Sequence, residues 1–287
     1  MARPIYSAEH YATRLGRVLE YIDLHLSAPL PLAMLASQAS FSPFHLHRIF
    51  CDWQGETPQS YIRRCRLERG AALLHYGPGT SVMDIAPQCG FTSVEAFDRA
   101  FRAYFGMTPT QWRGGGFSQW HTRTLPPSEI PHDLSNAQVQ IKRLPALQTV
   151  YCRKVGSYRE NETALWARLA ALIEPFGLAG GACFGVGLDD PAVTPAERCR
   201  FDVCIELPAA VSIPVRTPVR LLHGGQHAVL PYNGLAGATE GHWLWLLQTW
   251  LPQSGYKVSQ QACFERYPGG IPAPGIVHSE LCLPLAR

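Results

Sequence analysis

Along the first 113 residues the apolar positions recur every three or four residues, the period of a helix with one buried face. Tyr11, Leu15, Val18, Leu19, Ile22 and Leu26 make such a stripe over residues 6–27. Arg14, Arg17, Glu20 and Asp23 fall off it, and Pro29 and Pro31 break it. A second helix is predicted over 58–76, with Tyr61, Ile62, Cys65, Leu67, Ala71, Leu73 and Leu74 as its apolar positions. The stretch 81–113 predicts a short helix, a tight turn at Cys89-Gly90-Phe91 and a longer helix. Val94, Phe97, Ala100, Phe101, Tyr104 and Phe105 line one face of that longer helix. Gly90 suits the corner because only glycine takes positive φ at no steric cost. Gly106 stops the helix and Thr108-Pro109 starts another.

From Gln138 onward the pattern becomes strand-like. Strands are predicted at 138–150, 151–156, 183–188, 201–207, 223–231, 264–267 and 279–284, with helices at 162–176 and 236–251. Between the two regimes, residues 114–137 hold Gly114-Gly115-Gly116 and then Pro126, Pro127 and Pro131, the composition of a linker. The expected architecture is multidomain. An all-α double helix-turn-helix domain (1–113) is followed by the linker (114–137) and an α+β domain (138–287) of two pseudo-twofold strand–helix–strand–strand units.

Both halves carry internal repeats. Ala36, Gln38 and Phe41 match Ala86, Gln88 and Phe91 at an offset of 50. Leu46, Arg48, Phe50, Gly55, Thr57-Pro58 and Tyr61 match Phe97, Arg99, Phe101, Gly106, Thr108-Pro109 and Trp112 at an offset of 51. One extra residue therefore lies near the second turn, and a duplicated helix–turn–helix arises by chance far less readily than a single one. In the second half, a strand ending at Val150 leads to Gly156, a helix containing Trp166 and a stop at Gly177-Leu178. A strand containing Val229 leads in parallel to Gly234, a helix containing Trp243 and a stop at Gly255-Tyr256. Two such units around a dyad leave a groove between them.

Length fits two domains, and a net charge of +3 is too mild to identify a polyanion partner. Residues 1–115 hold eleven Arg, no Lys and nine acidic residues, and Arg suits bidentate contact with phosphate or guanine. Arg63, Arg64, Arg66 and Arg69 form the densest basic cluster, either a solvated face or a phosphate contact. The nine Cys show no zinc spacing and no metal site or cofactor is expected; they are buried thiols of a reducing cytoplasm or a thiol sensor. No signal peptide is expected, and no stretch approaches 18 apolar residues, so no membrane partner is expected either.

Residues 11–113 resemble the AraC/XylS-type DNA-binding domain. The resemblance rests on Ile85-Ala86, Gly90-Phe91, Phe97-x-Arg99-x-Phe101, Phe105-Gly106-x-x-Pro109 and Arg113. It implies a bacterial, cytoplasmic transcription regulator whose partners are double-stranded DNA, a small-molecule effector and RNA polymerase. Phe44, His45, His47 and Arg48 are placed on the solvent side of the first reading helix, and Val94, Glu95, Asp98, Arg99 and Arg102 on that of the second. The family aligns Phe44, His47, Arg48, Glu95 and Arg99 with base- or backbone-contacting positions. Arg48 and Arg99 either reach guanine or pack across the domain. Two heads on one chain would meet successive major grooves roughly 34 Å apart. Two departures stand out: Ser40 where glycine would turn the chain, and Pro87 inside a helix, which predicts a kink or a late helix start.

Residues 138–285 are similar to the GyrI-like small-molecule-binding domain, found also in multidrug-sensing regulators. The residues carrying this include Val155-Gly156-x-Tyr158, Gly185-Val186-Gly187-x-Asp189-Asp190-Pro191, Trp250-Leu251-Pro252 and Phe264-Glu265-x-Tyr267. The candidate ligand site is Glu265 flanked by Tyr151, Tyr158, Trp243 and Tyr267, with Glu206 as a second carboxylate. A carboxylate among aromatic rings favours a cationic, apolar ligand. No catalytic residues are assigned. The alternatives are a GyrI-like hydrolase of reactive electrophiles, with Glu265 as base, and a protein-docking module.

Overall fold

The computed structural model describes residues 8–77, 79–124, 130–131, 134, 137–158, 162–178, 180–215, 217–259 and 261–286. The start of the first expected helix and Pro126 and Pro127 of the expected linker lie outside them. The chain divides into two compact units, the first essentially residues 1–117 and the second 118–287, with only 215–218 grouped with the first. No helix among the described residues is long and apolar enough to cross a membrane.

The first unit opens with α1 (Ala8–Leu24), whose Leu15, Val18, Leu19 and Ile22 are buried as the stripe requires. Two copies of one motif follow, α2 (Leu32–Gln38) with α3 (Pro43–Gln54) and α5 (Val82–Gln88) with α6 (Val94–Phe105), joined by α4 (Pro58–Tyr76). Their local signals repeat. Ser42 caps α3 by accepting from the His45 amide, and Ser93 caps α6 by accepting from Ala96. Gly55 and Gly106 close these helices at φ 70° and 75°. Phe50 meets Tyr61 edge-on at 5.4 Å, and Phe101 meets Trp112 edge-on at 5.6 Å. Against these matched caps the additional residue is Thr92, between Phe91 and Ser93.

The two turns solve one backbone problem differently. Gly90 sits at φ 72°, and a Cβ there would lie 2.5 Å from the Leu26 carbonyl oxygen. Its counterpart Ser40 takes the same left-handed region at φ 50° and tolerates the strain. The late helix start expected from Pro87 does not occur: Ser81 caps α5, accepting from Asp84, and the helix runs through the proline. Pro87 lies on the exposed side of α5, so its missing amide falls away from the core.

The expected linker is helical in part. After α7 (Pro109–Gln111) and a glycine break at Gly114 and Gly115, α8 runs over Phe117–Thr124. The physical reason is an apolar anchor: Phe117 is buried, stacking on His75 at 3.5 Å and meeting Trp112 at 5.6 Å.

The second unit is one antiparallel sheet with helices. Its strands are β1 (Gln140–Leu144), β2 (Leu147–Val155), β3 (Cys183–Gly187), β4 (Arg200–Glu206), β5 (Val219–Leu222), β6 (Gly225–Leu235), β7 (Lys257–Val258), β8 (Cys263–Tyr267) and β9 (Ile276–Ala286). The order is β1-β6-β9-β8-β3-β4-β2-β5, with β7 beside β9. Helix α9 (Thr163–Ile173) follows β2, and α10 (Glu240–Trp245) and α11 (Leu251–Ser254) follow β6. The order mirrors itself about the β8–β3 seam, which is the dyad read from the sequence. The sequence missed β5 and with it an exchange: β1 pairs with β6 of the other repeat, and β5 pairs with β2. The break between the first two strands falls at Pro145-Ala146 rather than after Val150.

Candidate DNA-reading faces and effector site

The capping serines set which residues of α3 and α6 face outward. Phe44 (80% exposed), Arg48, Glu95, Arg99 and Arg102 are exposed, while His47 and Val94 are half-buried. The two helices thus present arginines at matched positions of a matched scaffold, Arg48 and Arg99, and α6 adds Arg102 nearly one turn beyond Arg99. His45 departs from the expected solvent face. Its ring packs 4.8 Å from Phe41 and 5.9 Å from Tyr11, with Nε2 buried. Next to the buried Leu46, the imidazole finds the rings of Phe41 and Tyr11 to cover and turns inward. Glu95 is held below the usual carboxylate range by hydrogen bonds at the start of α6, from its own backbone first and from Ser93 second.

The basic cluster of α4 is neither a solvated face nor a uniform phosphate patch. Arg64 is buried, bonded to Glu56 at 2.7 Å and Glu68 at 3.1 Å, and Tyr104 of α6 donates to Glu68 at 2.8 Å. Arg66 donates to the carbonyls of Leu26 and Ala28. Arg69 is half-buried near Asp23 and Cys89, and burial lowers its affinity for the proton. Arg64 and Arg66 tie α4 to its neighbours, and Arg63 alone of the four is exposed.

In the second unit, register decides which candidates meet. Gly185 pairs with Glu265 across the dyad, and Cys183 pairs with Tyr267. Side chains two apart share a face. The Glu265 face carries the helices, because Trp166 of α9 meets Tyr267 edge-on at 5.7 Å and Trp243 of α10 reaches Glu265. Glu265 is 8% exposed. Its Oε1 accepts from the Thr239 hydroxyl at 2.5 Å and the Trp243 indole at 3.1 Å, and its Oε2 from the Tyr267 hydroxyl at 2.5 Å. Burial, then the Glu265 charge, pushes the Tyr267 phenol far up, so it stays a donor. The same two causes raise Tyr232 on β6. The counterpart of Glu265 is a glycine because Phe201 fills that space, 2.8 Å from a Cβ built at Gly185. The dyad therefore carries a single central acid.

Tyr151, Tyr158 and Glu206 do not join this cluster. Tyr151 pairs with Cys204 and lies on the opposite sheet face with Phe184 and Phe264, where the Arg153 guanidinium stands 5.4 Å over its ring. Glu206 pairs with Thr149 and shares that opposite face. Tyr158 is a structural lock: its hydroxyl accepts from the Asp189 amide at 3.1 Å and donates to the Arg200 carbonyl at 2.8 Å. Strand alternation separates Tyr151 from Val150, but both sheet faces are buried, so polarity alone could not say which one carries the helices.

Four residues of the site escaped the sequence reading, Trp166, Tyr232, Glu162 and Thr239, and the last two are related by the repeat. Each takes the N-cap position of its helix with near-identical backbone angles, φ −85° and −86°. Each stands four residues before the tryptophan of its repeat, and that spacing in a duplicated segment was the signal available. Glu162 hydrogen-bonds Trp166 as Thr239 neighbours Trp243. Burial first, and the nearby Glu265 charge second, raise the Glu162 carboxyl to about 7. The helix-bearing face thus holds two coupled acids framed by two tryptophans and two tyrosines. No group of His, Cys, Asp and Glu among the described residues could hold a metal ion.

Two reading helices on one domain, and an acid–aromatic cluster at the dyad of another, define a helix-turn-helix DNA-binding protein with a small-molecule-type second domain. Residues 35–115 match the helix-turn-helix domain family, and residues 137–286 match the GyrI-like small molecule binding domain. The chain belongs to the GyrI-like family and is an AraC-family transcription regulator carrying that domain. It is similar to the transcriptional regulator Rob of Salmonella typhimurium, 25% identical over 265 residues, covering 87% of this chain and 88% of the relative. It is also similar to the right origin-binding protein of Escherichia coli, 38% identical over 96 residues and 33% of each chain. Among solved structures, the DNA-binding domain of AdpA in complex with a target DNA is 26% identical, covers 37% of this chain and 95% of that one, and superposes with a TM-score of 0.35.

Proposed function

We propose that this chain reads an asymmetric DNA site with α3 and α6 and that a small cationic, apolar molecule bound at Glu265 controls the outcome. Phe44, His47 and Arg48 would contact the first major groove, and Val94, Glu95, Arg99 and Arg102 the second. Arg48 and Arg99 would pair with guanine edges, a contact worth about 1–3 kcal/mol of discrimination each. The observation that carries the effector half is the buried Glu265, ringed by Trp243, Tyr267 and Trp166 with Glu162 beside it. A cation gains charge pairing and ring-face attraction there that a neutral molecule does not. Ligand binding shifts the equilibrium between states only through contacts that differ between them, whether the change is in domain arrangement or in an RNA polymerase contact. Such a protein works in the cytoplasm, where its DNA is. Hydrolysis by Glu265 is the weaker reading, because both its oxygens are already taken by three donors and a general base needs one for the water.

The test is a tryptophan-fluorescence titration with benzyltrimethylammonium and its neutral isostere neopentylbenzene, on wild type and Glu265→Gln. The cation should bind at least tenfold more tightly than the neutral probe, and the preference should vanish in Glu265→Gln. Equal affinity for both probes in the wild type would refute recognition of charge.

A further inference from the structure

We infer that the Ser279 hydroxyl is a second polar contact of the effector site, and that the effector carries a neutral oxygen, a hydroxyl or carbonyl, a short spacer from its cationic nitrogen. The inference rests on the reading of Glu265 as the seat of a cation and adds a specificity-determining residue to it.

Register places Ser279 in the site. On β9, Leu281 pairs with Glu265 of β8, so Ser279, two residues before it, faces the same helix-bearing side. Its partner on β6 is Tyr232, whose ring meets His242 of α10 edge-on at 4.8 Å. Ser279 is 5% exposed, and its hydroxyl has no hydrogen-bond partner among the described residues. The two phenols of this part of the face are committed elsewhere. Tyr232 donates to the Leu235 carbonyl at 2.7 Å, its oxygen lying over Gly234, where a Cβ would be 2.6 Å away. Tyr267 donates to Glu265 Oε2 at 2.5 Å.

Native folds seldom keep a buried hydroxyl unpaired, because it has lost water and gained nothing in exchange. At a binding site the ligand supplies the missing partner. The acids of the cluster, Glu265 and Glu162, decide its kind: an anionic group would be repelled, so the partner is a neutral oxygen. The Ser279 and Glu265 side chains rise from Cα atoms about 7–8 Å apart, as diagonal neighbours of an antiparallel pair do, which fits a spacer of about two or three carbons.

The test uses the full-length protein and two probes of equal charge and nearly equal volume, benzyldimethyl(2-hydroxyethyl)ammonium and benzyldimethyl(propyl)ammonium. They differ by a hydroxyl in place of a methyl. Tryptophan fluorescence should show wild type binding the hydroxyl probe about 5- to 10-fold more tightly. Apolar transfer alone favours the propyl probe, so Ser279→Ala should reverse the order. Ser279→Thr, which keeps the hydroxyl, should retain it. Without probe, Ser279→Ala should unfold at the same urea concentration as wild type or a higher one, since it removes a hydroxyl that bonds to nothing. A clearly lower midpoint would show that the hydroxyl holds the fold, and it would overturn the proposal. Equal affinity of wild type for the two probes overturns it as well, and is the result expected of a hydroxyl that holds only an internal water. So does a preference that survives in Ser279→Ala. If wild type binds neither probe, the Glu265 reading fails and this inference with it. Probes bound alike by wild type and weakened alike by Glu265→Gln sink this inference alone.

Discussion

Replacing Glu162 by Gln should stabilise the second domain at pH 8 and leave it unchanged at pH 4. The carboxyl is raised to about 7 by burial and by the neighbouring Glu265 charge. An unfolded chain holds it near 4.5. Between those values the folded protein keeps a proton that the unfolded protein releases, so stability falls as pH rises through the window from about 4.5 to 7 and levels off above it. At about 1.4 kcal/mol per unit the cost at pH 8 reaches about 3 kcal/mol, and partial hydration of the side chain reduces that to about 2. Glutamine keeps an acceptor for the Trp166 indole and removes the charge, so it recovers most of this amount. Urea titrations at pH 4, 6 and 8, read by hydrogen exchange of the β3 and β8 peptides, isolate the second domain from the first. The difference between variant and wild type is the relevant quantity, since other groups titrate equally in both. A gap that does not widen between pH 4 and pH 8, or a Glu162 midpoint near 4.5 by carbon NMR, would refute the coupling. The same coupling gives ligand binding a sign: a cation gains from a charged Glu162, so its affinity should rise with pH through about 7 in wild type and less in Glu162→Gln.

Three further outcomes follow from named contacts. Gly90→Ala should destabilise the first domain by more than about 2 kcal/mol in thermal unfolding, because a strained φ and a 2.5 Å clash with Leu26 act together; Ser40→Gly should gain up to about 1 kcal/mol. Thr239→Val removes one donor to Glu265 and should cost about 1–3 kcal/mol in urea unfolding of the second domain. Asp202 is buried between Arg153, at 2.6 and 2.9 Å, and Arg220; burial opposes its charge, but the two guanidiniums outweigh burial and hold it below the ordinary range. Its contribution is present above the unfolded carboxyl value and lost as pH falls through the folded one, so Asp202→Asn should cost about 3–5 kcal/mol at pH 7 by urea titration and less in acid.

The first domain was legible because its signals are local and written twice. Thr57-Pro58 and Thr108-Pro109 start helices, Gly55 and Gly106 end them, and α4 spans the very residues that its apolar positions marked. The α4 arginines were not legible. Arg64 and Glu68 form a buried i,i+4 pair, and on a helix packed on several sides the apolar period no longer separates solvent from core. His45 turned inward for a related reason: an imidazole accepts an aromatic cover that sequence polarity does not reveal. In the second domain the dyad and the central Glu265 were readable from repeated strand–helix order and flanking aromatics. The exchange of β1 and β5 between repeats was not, because four-residue strands such as Val219–Leu222 carry little period. Helix α8 shows the converse error, in which glycine and proline around it hid one buried phenylalanine, Phe117.

The central claim, one chain with two DNA-reading heads, is tested most directly by hydroxyl-radical footprinting on genomic fragments selected by the purified protein. Wild type should protect two patches one helical turn apart on one face of the duplex. Arg48→Ala should lose sequence preference under one patch and Arg99→Ala under the other. A single patch, or no fragment preferred over bulk DNA, would contradict it.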